Sequence, residues 1–261
     1  SGQKLDGNGV NISQKRQPQA YTATRVVWDG ARWKVIWTSS NVAYGVAIKA
    51  SGQVINPGGA ALAGLTTGPM AATSTGGLQV VWSTVADNNS DVFAANISPP
   101  NIVGPSQALS VGVPMQLRAD VATNGNGYLL VYRSSTAGEN RILAQPLDAN
   151  GAPLGGPVQL DTGNNVNGPG SPAVAWNGAL YLVAWGNANG IVAQRLNADG
   201  TKVDPAPFVV ANPAFGSVDV EALGDTFLVV GLKSGYNIQI IFPIGVRVRG
   251  SDGAVLDPTP L

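Results

Sequence analysis

The sequence predicts an all-β chain, a five-bladed β-propeller of four-stranded antiparallel blades with its ring closed by an N-terminal strand. Three observations lead there. Residues 172–211 contain four short strand-like runs, Ala173 to Trp176, Leu180 to Trp185, Ile191 to Leu196 and Phe208 to Ala211. Between them lie Asn177-Gly178, the Gly186 to Gly190 stretch, and Asp199-Gly200 with a proline-containing tail. Asn-Gly and Asp-Gly favour φ > 0 and are strong hairpin signals. The unit also recurs: residues matching Trp185 are Trp37, Trp82, Tyr132 and Gly231, at successive spacings of 45, 50, 53 and 46 residues, close to the length of a propeller blade. Finally, no segment is helical in pattern, since Ala60 to Ala63 and Ala108 to Val113 are short and lack a capping box.

Taken in chain order, each unit opens with a hairpin around Gly30, Gly76, Gly125, Gly178 or Gly224. Four residues before each anchor stands Trp33, Leu78, Tyr128, Tyr181 or Phe227. The period of two along a strand puts that large side chain on the anchor's face. A second hairpin follows at Ser51-Gly52, Asn150-Gly151, Asp199-Gly200 and Asp252-Gly253, whereas the second unit has Ser98-Pro99-Pro100-Asn101 there. Outer strands are expected at Ala60 to Ala63, Gln107 to Ser110, Val158 to Asp161 and Phe208 to Ala211. The blades then span about 18–63, 69–110, 114–161, 169–211 and 215–261 of one 1–261 domain. After Asp252-Gly253 nothing resembles Phe208 to Ala211, so residues 1–13 are expected to supply the last outer strand and close the ring, which removes an open edge.

Composition narrows the chemistry. With 15 basic and 15 acidic residues and no basic block beyond Lys15-Arg16, the chain lacks the electrostatic footprint of a nucleic-acid or anionic-membrane partner. Histidine and cysteine are both absent. Ser-His-Asp triads, thiol nucleophiles, disulfides and His- or Cys-based metal sites are thereby excluded. No apolar run approaches the roughly 18 residues of a membrane span. Neither a cofactor nor a metal site is expected. The Asp87 to Asp91 loop is rich in oxygen ligands but lacks the glycine and distal glutamate of an EF-hand loop, and reads as a solvated turn.

Carboxylates are the remaining acid-base candidates. Asp120 and Asp219 both stand five residues before a turn glycine, near the start of an innermost strand, where the first unit has Arg25 and the others Ala71 and Ala173. Together with Glu221 they form a candidate polar cluster in the central channel, to bind a polar ligand group or simply to close the axis by hydrogen bonds to neighbouring backbone. Trp28 and Trp176 share a position two before the turn glycine and are candidate stacking platforms for a sugar, or covers for the adjacent blade. The fifth unit carries about seven extra residues around Tyr236 to Ile244. Tyr236, Ile241 and Phe242 in it are candidate partner contacts, or part of a longer hairpin folded back on its blade.

The elements Ala173-Val174-Ala175-Trp176-Asn177-Gly178, Tyr181 to Trp185 and Ile191 to Gly200 resemble a repeat found in tandem in large secreted or surface-attached bacterial proteins. Five blades of this size also resemble the architecture of tachylectin-type lectins. The resemblance implies an extracellular, cell-surface or secreted setting and a non-catalytic binding or adhesion module, lectin-like, with a carbohydrate or a surface protein as partner. Two other readings stand beside it: a five-bladed glycoside hydrolase using a carboxylate pair, and a spacer or display domain of a larger surface protein.

Overall fold

The computed structural model describes residues 21–39, 42–62, 70–74, 77–86, 89–98, 102–110, 115–136, 139–161, 170–188, 190–212, 215–234 and 241–261. All regular structure in them is β-strand, and consecutive strands pair antiparallel into five sheets. The first blade is β1 (Tyr21–Trp28), β2 (Arg32–Ser39), β3 (Val42–Lys49) and β4 (Val54–Leu62). The second is β5 (Met70–Ser74), β6 (Gly77–Ala86) and β7 (Asn89–Ser98), with its outer position split between β8 (Ile102–Val103) and β9 (Gln107–Ser110). The third is β10 (Met115–Thr123), β11 (Tyr128–Thr136), β12 (Glu139–Leu147) and β13 (Val158–Gln159). The fourth is β14 (Ala173–Trp176), β15 (Tyr181–Asn187), β16 (Gly190–Leu196) and β17 (Phe208–Ala211). The fifth has β18 (Phe215–Leu223), β19 (Thr226–Ser234) and β20 (Ile241–Arg249). The innermost strands follow one another around the axis as β1, β5, β10, β14 and β18. The chain is thus a five-bladed propeller, as the repeat predicts.

Local chemistry refines several expectations. The Asn177-Gly178 signal belongs to a four-residue loop, because Trp176 pairs with Tyr181. Asn177 Oδ1 closes that loop by accepting from the N–H groups of Ala179 and Leu180 at 2.9 and 2.8 Å. Asp29 and Asn124 do the same in their own blades. This is the side-chain mimic of a backbone turn for which Asn and Asp are favoured. In the second blade Ser74 pairs with Gly77, so its loop is two residues shorter. That slip puts Met70, where Ala71 is expected, at the position held by Ala173 in the fourth blade.

The fifth blade departs from the repeat for visible reasons. A side chain at its glycine anchor, Gly231, would run into Ile191 of the fourth blade. Ile241 and Phe242 lie on β20, paired with Ser234 and Lys233, so the extra residues lengthen the hairpin; Tyr236 lies outside the described residues. The outer position of this blade is not empty. Leu261 donates to the Gly245 carbonyl at 2.9 Å and accepts from the Gly245 N–H at 3.3 Å. Phe208 holds the same place against Ala193 in the fourth blade, and Asp257 to Leu261 parallels Asp204 to Phe208. Leu261 therefore pairs with the outer edge of β20 at the position where Phe208 pairs with β16. Residues 1–13, the expected closing strand, lie outside the described residues.

Alternate side chains of the second strands face opposite neighbouring blades. Tyr181, Val183 and Trp185 face the third blade, while Leu182 and Ala184 face the fifth. Four apolar clusters built this way join the first blade to the second, the second to the third, the third to the fourth and the fourth to the fifth. A fifth cluster, of Val35, Trp37 and Val46 with Tyr44, Ile48 and Val54, stays within the first blade. Leu228 and Val230, which correspond to the fully buried Leu182 and Ala184, are 40% and 38% exposed. Among the described residues the seam between the fifth blade and the first is therefore the least packed of the five.

Candidate functional site

The channel residues are set by strand register. Arg25 stands opposite Ile36, Asp120 opposite Val131, Asp219 opposite Val230 and Ala173 opposite Ala184. On β1, β10 and β18 the register shifts just before that residue, between Thr22 and Thr24, Leu117 and Asp120, and Phe215 and Asp219. β5 and β14 begin at that residue, so neither carries such a shift above it. The unbroken ladder between that residue and the hairpin sets the face it occupies, while the shift bends the strand beyond it. The β10 bulge holds Arg118 at φ 56°, left-handed for a residue with a Cβ, and its Nη1 donates to Ser171 Oγ at 2.9 Å.

Asp120 is the most perturbed carboxyl in the channel. Some of its surface is reachable from the channel, yet the atoms packed around the carboxyl strip it of water, and its pKa is pushed up to about 6. Burial is the main cause; the nearby Asp219 charge adds to it, while hydrogen bonds from the Val174 and Val121 backbone and the charge of Arg25 oppose it. The Val174 N–H donates to Asp120 Oδ2 at 2.9 Å, so the carboxylate also fastens β10 to β14 of the next blade. Arg25 and Asp219 are thus close enough for their charges to act on the Asp120 carboxyl. Asp219 accepts from the Val220 N–H at 3.0 Å. Glu221 is held above its ordinary range, first by partial burial and then by Asp219.

The seam adds an aromatic wall to this cluster. Trp28 and Trp33 pair across β1 and β2, with ring centroids 4.8 Å apart and planes tilted by 56°. They are 38% and 45% exposed and stand beside the exposed Val26. The fifth blade presents Asp219 and Glu221 from β18, with Leu228 and Val230 from β19. Such a surface can stack an apolar sugar face on indole and accept hydroxyl hydrogen bonds at carboxylates.

Trp176 is placed elsewhere. It packs on Tyr181 at 4.6 Å and against the cluster between the third and fourth blades, two interfaces away from Trp28. Trp33 was not singled out from the sequence, because its periodicity matches buried counterparts such as Tyr181. Arg118 was missed because a bulge is a two-against-one count that only the partner strand reveals. Among the described residues no three acidic, histidine or cysteine side chains converge as a metal site.

No family model and no curated protein matches the sequence. Solved structures do share its fold. The Bacteroides ovatus protein described as Xyloglucan PUL GH43B is 15% identical, with a TM-score of 0.52 over 94% of this chain, and the chain spans 59% of that protein's length. A thermostable family-43 glycoside hydrolase is 13% identical, with a TM-score of 0.55 over 94% of this chain and 95% of that one. A subtype N10 neuraminidase-like protein of the strain A/little yellow-shouldered bat/Guatemala/060/2010 is also 13% identical, with a TM-score of 0.56 over 94% of this chain and 83% of its own. At these identities the likeness shows the architecture.

Proposed function

We propose that this chain is a non-catalytic carbohydrate-binding module, and that its ligand contact is the seam between the first and fifth blades. The observation that carries this reading is the exposed Trp28 and Trp33 pair on one side of the seam, with Asp219 and Glu221 on the other. Exposed paired indoles gain little for folding and much for stacking on a ring. The names of the propellers of similar shape, two of them glycoside hydrolases, agree with a carbohydrate partner. In this reading the module acts outside the cell, on glycans of a surface, as the resemblance to secreted and surface-attached repeats suggests.

One observation favours a hydrolase instead: the Asp120 carboxyl, pushed up to about 6, has the pKa of a general acid at near-neutral pH. Against it, Asp120 spends an oxygen on the Val174 N–H, a structural task. A glycan array with the wild type and the Trp28→Ala and Trp33→Ala variants separates the readings. Binding that each variant reduces at least tenfold, with no glycan cleaved, supports the module. Cleavage abolished by Asp120→Asn would establish the hydrolase. Silence across the array moves the seam to a protein partner or the domain to a spacer.

A further inference from the structure

In the second to fifth blades the segment after the third strand returns an N–H to that strand, and this bond aligns the four blades residue by residue. It runs from Val203 to the Arg195 carbonyl, from Leu256 to Arg247, from Leu154 to Pro146 and from Gly104 to Asn96, at 2.8 to 3.0 Å. In the fourth blade the two positions it defines hold an ion pair. Asp204 accepts from the Arg195 N–H at 2.8 Å and from its guanidinium, while Arg195 Nη1 donates to the Gly250 carbonyl of the fifth blade. Arg247 and Asp257 repeat the pair in the fifth blade. In the second blade the same positions are Asn96 and Pro105. Asn96 keeps the bond to the next blade, from Nδ2 to the Asn150 carbonyl at 3.3 Å, but the carboxylate and most of the guanidinium volume are gone.

What remains is a cavity of about 270 Å³ between the second and third blades, lined by Gln79, Asn96, Ser106, Gln107 and Asn150 with backbone at Gly104 and Pro105. Gln79 takes the place that Leu129 and Leu182 fill in the next two blades. It is 1% exposed, and its Oε1 has no hydrogen-bond partner in the protein. A buried amide oxygen left unpaired costs roughly 1–3 kcal/mol, a cost leucine avoids in the neighbouring blades. Every polar side chain lining the cavity is neutral, an amide or a hydroxyl, and none is aromatic. We propose that this cavity is a second binding site, for a small neutral polyhydroxyl ligand of monosaccharide or polyol size, with a ligand hydroxyl donating to Gln79. Amides that both donate and accept match hydroxyls, and the absence of charge argues against phosphate, carboxylate or amine groups. The site is independent of the seam, which lies on other blades.

Titration of the full chain, labelled with nitrogen-15, with neutral monosaccharides in one arm and glycerol in the other tests the assignment. Saturable shifts are expected at the side-chain amides of Gln79, Asn96 and Asn150 and at the Gly104 N–H, and the stronger arm identifies the ligand type. Gln79→Leu should weaken binding at least tenfold without lowering the melting temperature, whereas Trp28→Ala should leave it unchanged. The double variant Asn96→Arg with Pro105→Asp rebuilds the ion pair of the fourth blade and should block the cavity, which keeps the test open if Gln79→Leu fails to fold. Absence of saturable shifts at these groups up to ligand solubility, or wild-type binding in a folded blocked variant, overturns the site. Loss of glycan-array binding at the seam with this titration intact would overturn only the seam.

Discussion

Two carboxylates show at the residue scale how one side chain type does opposite work. Asp120 has its pKa raised from 3.8 to about 6 in the folded chain. Below about pH 4 both folded and unfolded states hold the proton. Between about pH 4 and 6 only the folded state holds it, so stability falls as pH rises through that window, and above it the full cost remains, roughly 2–3 kcal/mol. Glu221, also raised, adds to the same slope. Asp120→Asn keeps an oxygen for the Val174 N–H and removes the charge, so its melting temperature should vary much less between pH 4 and 6.5 and exceed the wild type's at pH 7; an unaltered slope would sink this assignment. Asp204 works the other way, as the partner of the nearly buried Arg195. Asp204→Ala leaves that guanidinium uncompensated, and thermal or urea unfolding should show a loss of roughly 3–5 kcal/mol. Glu139, exposed beside Arg141, makes the control: its alanine variant should unfold within error of the wild type.

At the scale of elements, the informative features are the edge of β20 and the bulges of the inner strands. β20 is paired at Gly245 by Leu261, and the next positions outward, Ile244 and Pro243, are where β17 continues along β16 in the fourth blade. A strand edge left with unpaired backbone groups is a template for another strand. We propose the segment Val10-Asn11-Ile12-Ser13 as that strand, since it alternates apolar and polar residues as the position requires. Deletion of residues 1–13 should then lower the melting temperature by several degrees, and an unchanged value would remove the proposal. The strand runs themselves were legible: Ala173–Trp176, Gln107–Ser110 and Phe208–Ala211 have the bounds that period and turn residues suggest. The four-residue loops after Trp28, Thr123 and Trp176 were not, because an Asn-Gly pair looks the same at the start of a longer Asx-closed loop as in a two-residue turn. Nor was the short loop of the second blade, whose two missing residues moved Met70 into the position expected of Ala71.

Across the whole molecule, the sequence by itself determined the number of blades, their order and, outside β5, the faces of their strands. Each of these follows from local periodicity and from a repeat of about 45 to 53 residues, which survives wherever a strand must bury alternate side chains. Absence of histidine and cysteine likewise fixed which chemistries are closed to the chain. Of the candidate site, the sequence found Arg25, Asp120 and Asp219 as one set and Trp28 as an indole at a strand end. Only the tertiary structure decided that Trp33 is exposed while its counterpart Tyr181 is buried, because exposure depends on what the neighbouring blade presents, and Leu228 and Val230 do not cover the seam. It alone separated Trp176 from Trp28, gave Asp120 its dry surroundings and its bond to Val174, and opened a polar cavity where Asn96 and Pro105 replace an arginine and an aspartate. Periodicity is a property of one strand and can be read along the chain; burial, charge coupling and cavities are properties of pairs of blades about 50 residues apart, and only the assembled ring supplies the second member of each pair.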